Sequence, residues 1–70
     1  MMPLTMARPG ETAVIRKITG RDEVRQHLAE LGFVVDESGT VISEMAGNLI
    51  LQVKDSRVAV DRTMANRIMI

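Results

Sequence analysis

Val24-Arg25-Gln26-His27-Leu28-Ala29-Glu30-Leu31-Gly32-Phe33 sets Val24, Leu28 and Leu31 at i, i+4 and i+7, one face of a helix. Gly32 follows the last apolar position, where a left-handed cap residue ends helices. Upstream, Thr19-Gly20-Arg21-Asp22 offers a capping oxygen and an acid for the first turn. The spacing therefore predicts one short helix from about Arg21 to Leu31. The rest of the chain reads chiefly as short strands.

Outward from the helix, Leu4 and Met6 alternate with Thr5 and Ala7, a weak strand signal. Arg8-Pro9-Gly10-Glu11 is a turn. Thr12 to Ile18 is β-branched and apolar, and predicts a strand. Its alternation breaks at Ile18, so a bend or bulge is expected within it. Phe33-Val34-Val35 predicts an apolar return to the core, and Asp36-Glu37-Ser38-Gly39 a polar turn.

Thr40 to Met45 predicts a second strand, and Ala46-Gly47-Asn48 a tight reversal. Leu49, Leu51 and Val53 alternate with Ile50, Gln52 and Lys54, the clearest strand in the chain. Lys54-Asp55-Ser56-Arg57 turns back into a strand carrying Val58 and Val60. Asp61 is placed to cap one helical turn over Arg62-Thr63-Met64-Ala65. Arg67 to Ile70 closes as a last strand with Ile68 and Ile70 on one face. The expected fold is all-β with one short helix, five strands closing into a small SH3-like barrel. The helix is inserted after the first long strand, and residues 1–70 form a single domain.

Seventy residues without cysteine make one small domain with no disulfide to brace it. No apolar run reaches the ~20 residues of a membrane helix. The opening Met1-Met2-Pro3-Leu4-Thr5-Met6 lacks a basic flank and long apolar core, so a soluble, cytoplasmic protein is expected. Net charge is zero, yet unevenly spread. Arg8, Arg16, Lys17 and Arg21 make the early segment basic. Asp22, Glu23, Glu30, Asp36, Glu37 and Glu44 make the middle acidic. The end is basic again. A solvated surface is the ordinary reading; an acidic patch that docks on a basic partner is the functional one.

No phosphate-binding glycine loop and no paired cysteines or histidines occur. His27 is the single histidine, expected at the core margin of the helix flank rather than as a catalytic base. Asp36 and Glu37 are adjacent acids in a turn, expected to be solvated. No catalytic, cofactor or metal site is assigned. Met45, Met64 and Met69 are expected to fill core gaps. Phe33 is the only aromatic residue, which argues against aromatic-lined peptide grooves and against nucleic-acid stacking.

Leu4 with Pro9-Gly10-Glu11, then Arg25 and Leu28 to Gly32, resemble the opening turn, helix and glycine stop of the ferrous-iron-transport protein A (FeoA) family. Ser43-Glu44-Met45-Ala46-Gly47-Asn48-Leu49-Ile50 resembles its central hairpin. Arg57-Val58-Ala59-Val60 with Ala65 and Ile68 resembles its ending. Two places depart from the family pattern: Val35 and Asp36 stand where Pro-Gly is frequent, and Gly39 where an apolar residue is usual.

The resemblance implies an SH3-like barrel and a small cytoplasmic accessory protein of bacterial ferrous iron uptake. It implies protein–protein contact with the cytosolic domain of a FeoB-type permease, which would recruit the protein to the inner face of the membrane without insertion. The alternative is a small metal-binding or metal-sensing protein related to the SH3-like domain of metal-dependent repressors. The oligomeric state stays open, a homo-oligomer included. The candidate partner-binding residues are Met45, Ala46, Gly47 and Asn48, because hairpin tips on a rigid scaffold often carry contacts. The ordinary reading, somewhat favoured, has Gly47 and Asn48 merely making the turn while Met45 packs inward.

Overall fold

The computed structural model describes residues 1–70. A 3-10 turn, Leu4–Met6, is followed by strands β1 (Thr12–Val14) and β2 (Lys17–Ile18) and helix α1 (Asp22–Glu30). Strands β3 (Ser38–Met45), β4 (Asn48–Val53) and β5 (Ser56–Asp61) form a meander. Helix α2 (Arg62–Ala65) and strand β6 (Ile68–Met69) close the chain.

Helix α1 ends as its sequence requires. Gly32 takes φ 106. Its N–H donates to the Ala29 carbonyl at 3.0 Å, and the Phe33 N–H reaches back to the Leu28 carbonyl at 2.9 Å. Together these two bonds make a Schellman stop. Leu28 is fully buried, and Val24 and Leu31 pack beside it against the core. The helix start differs from expectation. Arg21 is the N-cap residue and no side chain caps it. The Thr19 hydroxyl donates instead to the Arg67 carbonyl at 3.2 Å, tying the helix approach to the end of the chain. Asp22 and Glu23 still supply acids to the first turn.

The expected strand over Thr12–Ile18 is two strands. Thr12–Val14 pairs antiparallel with β3, and Lys17–Ile18 pairs with β6. The handover falls at Ile15, which is 2% exposed. Its N–H donates to the Glu37 carbonyl, while Arg16 N–H donates to the Met69 carbonyl at 2.7 Å. Leu4–Met6 is a 3-10 turn rather than a strand, because only Leu4 is buried; Met6 points into solvent. Likewise only Phe33 of the Phe33-Val34-Val35 run returns to the core. Val34 and Val35 are 41% and 45% exposed. The polar turn is shorter than expected, since Ser38 and Gly39 already belong to β3.

The strands number six, in a four-stranded sheet ordered β1-β3-β4-β5 and a two-stranded sheet of β2 and β6. The expected closure into one barrel does not occur, because the break at Ile15 divides the pairing between two sheets. The expected order of elements remains, short strands with α1 inserted between β2 and β3. Leu49, Leu51 and Val53 of β4 all face the core, which eleven buried residues fill. Asp61 caps α2 as expected, its Oδ1 accepting from the Met64 N–H at 2.8 Å. The chain ends meet: Met2 N–H donates to the Ile70 carbonyl at 3.0 Å and Ile70 N–H to the Met2 carbonyl at 2.8 Å.

Candidate functional site

The β3–β4 hairpin turns in two residues. Met45 pairs with Asn48, and Ala46 and Gly47 have φ 52 and 82. Two consecutive left-handed residues match the type I′ turn, whose twist suits a hairpin. Met45 is 66% exposed, so the expectation that it packs inward is corrected. The cause is a bulge between Val41 and Ser43. Val41 lies opposite buried Leu51, but beyond the bulge Glu44 lies opposite buried Leu49. The extra residue exchanges the two faces, which sends Met45 outward. Glu44 is held by Arg62 of α2 through a salt bridge, which anchors the hairpin to the rest of the fold. Met64 does pack against the core, and Met69 is half-buried.

A groove of about 680 Å³ lies between α1, β2 and the segment after the helix. Phe33, Ala29 and Ile18 line it, with Val34 and Val35 forming part of its wall. Arg16, Lys17 and Arg25 also line it, and no carboxylate does. Sequence reasoning missed this groove because Val34 and Val35 read as core. The available signal was the basic run Arg16-Lys17, which lies on its border. The hairpin tip is remote from this groove. β3 begins three residues after Val35 and rises about 3.3 Å per residue to Met45.

The remaining chemistry is sparse. His27 is exposed on α1 rather than at the core margin. Asp36 and Glu37 are also exposed, and Asp36 takes φ 76, a left-handed conformation that glycine adopts freely and a residue with a Cβ does not. No three His, Cys, Asp or Glu side chains converge at metal-binding distance. No buried side-chain nitrogen or oxygen lacks a partner. No helix is long and apolar enough to cross a membrane.

The same backbone arrangement occurs in a manganese-dependent transcriptional repressor. The match has a TM-score of 0.85 at 22% identity, over 94% of this chain and 38% of that one. That likeness concerns the fold alone. This is an SH3-like module whose surface presents a hairpin tip and a groove.

The FeoA domain model matches residues 2–70, and the chain belongs to the FeoA family. A Methanocaldococcus jannaschii protein bearing the name Fe(2+) transport protein A is 31% identical over all of this chain and 85% of its own length. The FeoA of Stenotrophomonas maltophilia, solved with zinc and described as a prokaryotic SH3 domain protein, superposes with a TM-score of 0.85. It is 25% identical over 99% of this chain and 88% of that one. Ferrous iron transport is the setting these relatives share.

Proposed function

We propose that the protein is a cytoplasmic accessory of ferrous iron uptake that carries out no reaction and acts by contact with the cytosolic domain of a FeoB-type permease. The hairpin Met45-Ala46-Gly47-Asn48 is the proposed contact. The observation that carries this reading is the exposure of Met45 on a two-residue turn braced by the Glu44–Arg62 pair. An unbranched thioether side chain adapts to an apolar partner surface at small steric cost. Contact with the permease would bring the protein to the inner face of the membrane without insertion. Co-purification of the chain with the permease's isolated cytosolic domain tests the partnership. Failure of the two proteins to co-purify would overturn it.

The second reading, a metal-binding or metal-sensing protein, is prompted by the zinc-bound Stenotrophomonas relative. Here the donors on offer are His27, the chain's one imidazole, and scattered carboxylates. Anaerobic calorimetric titration with Fe²⁺ and Zn²⁺ separates the two. The contact reading expects no tight one-to-one isotherm. A saturable isotherm that His27→Ala abolishes would favour the metal reading.

A further inference from the structure

Strand β5 ends the four-stranded sheet, and only β4 pairs with it. Its two-residue connection from β4 closes on the Val53–Ser56 pair. In such a hairpin the closing pair is hydrogen-bonded, and bonded pairs alternate along the ladder. Val58 and Val60 therefore bond to β4, while the N–H and C=O of Arg57 and Ala59 point away from the sheet. No backbone hydrogen bond outside the ladder uses any residue of β5. Arg57, Ala59 and Asp61 are exposed, so this edge is open to water.

We propose that this edge pairs with β5 of a second copy of the chain, antiparallel and centred on Ala59. The charge pattern selects that partner. In Arg57-Val58-Ala59-Val60-Asp61, opposite charges stand two residues to either side of Ala59. Antiparallel pairing about Ala59 sets Arg57 opposite Asp61 of the second copy, and Asp61 opposite its Arg57. Ala59 faces Ala59, where no bulk hinders the approach. Val58 faces Val60 on the inner side.

The outward-pointing residues meet in hydrogen-bonding pairs, so the backbone ladder and the charges agree on one register. A slip of two residues sets Arg57 against Ala59. A slip of four sets Arg57 against Arg57 or Asp61 against Asp61, which is repulsive. Charges on an edge ordinarily block pairing; here their symmetry permits it with one partner and one register.

Both side chains are free to take part. Arg57 makes no salt bridge within the chain, and its one bond, from Nε to Gln52 Oε1, is 3.3 Å long. Asp61 uses Oδ1 to cap α2, which leaves Oδ2 without a hydrogen-bond partner. The resulting contact is isologous, as a twofold dimer requires. It is also narrow, so the dimer is weak and reversible, and it loosens as salt rises.

Sedimentation equilibrium of the full chain from micromolar to millimolar concentration, at low and high salt, is the test. The expected result is a monomer–dimer equilibrium that salt weakens. Arg57→Asp places two acids opposite each other and should weaken the dimer by more than about tenfold. Ala59→Pro removes an outward N–H and leaves the β4 ladder intact, so it should give a folded monomer. If that variant fails to fold, concentration-dependent protection of the Ala59 amide from hydrogen exchange replaces it. A wild-type chain that stays monomeric at millimolar concentration overturns the proposal. So does a dimer that Arg57→Asp leaves unchanged, or an Ala59 amide whose exchange ignores concentration.

Discussion

The Phe33 amide is bonded to the Leu28 carbonyl at 2.9 Å, and the side chains of the same two residues are sealed in one core cluster at 1% and 0% exposure. The helix stop and the core are thus one construction: the bond that ends α1 also sets the chain's only aromatic ring beneath it.

Leu28→Ala should therefore cost about 2–5 kcal/mol, since it empties the space at the centre of that construction. At roughly 0.05–0.15 kcal/mol per residue, a domain of this size has a stability of only about 4–10 kcal/mol, so the loss is a large share. Urea denaturation is the measurement. A midpoint equal to that of the wild type would show that α1 does not pack as described.

Gly32 and Gly39 flank Val53 and should respond in opposite directions to alanine. At Gly32, φ is 106 and an added Cβ would lie 3.3 Å from Val53 Cγ1. Gly32→Ala combines backbone strain with a tight contact and should destabilise by more than about 1 kcal/mol. At Gly39 the backbone is ordinary, and a Cβ would sit 3.7 Å from Val53 Cγ2. Gly39→Ala should stabilise by about 0.4–1 kcal/mol, because it removes unfolded-state freedom without strain. Thermal melts of the two variants, read side by side, check the contrast. A Gly39→Ala protein that melts lower than wild type would contradict it.

Much of this fold was legible in the sequence, and the misses share a cause. The stripe of Val24, Leu28 and Leu31, the glycine stop, the alternation of β4 and the Asp61 cap are local signals, and each appeared where expected. The break at Ile15 was foreshadowed by a faulty alternation. Its consequence, two sheets instead of a closed barrel, depends on pairing with β3 and β6, which lie far along the chain. Met45 was misplaced because one bulge residue in β3 reverses the parity of everything after it. Val34 and Val35 are apolar, yet they stay in the open. What surrounds them is decided by tertiary packing, which composition does not encode.

Met45→Glu should leave the melting temperature close to that of the wild type, because the side chain lies mostly in water and a charge there meets no core. The same change should weaken binding to the permease's cytosolic domain if the hairpin tip makes the contact. Circular dichroism and a binding assay read the two halves separately. A stable Met45→Glu protein that binds at full strength would remove the hairpin as the contact.

Ala46 adopts φ 52, which is unfavourable for an L-residue with a Cβ, and asparagine tolerates this region better. Ala46→Asn builds the Asn-Gly pair preferred in type I′ turns. It should stabilise the protein by about 0.5–1 kcal/mol, a rise of roughly 2–8 °C in Tm for a domain of this size. Differential scanning calorimetry reads the shift. A fall in Tm would show that the turn relies on something other than its dihedral angles.

The reciprocal bonds between Met2 and Ile70 bring the first and last residues of this module to one spot. Paired strands hold their Cα atoms only about 4.5–5.5 Å apart. A short linker could therefore join the ends into a circle, and a fresh opening at the Lys54-Asp55 reversal would yield a permuted chain with the same contacts. Grafted into a loop of a host protein, the module would enter and leave through a single doorway. The host loop would barely widen, and the module would hang from it as a pendant.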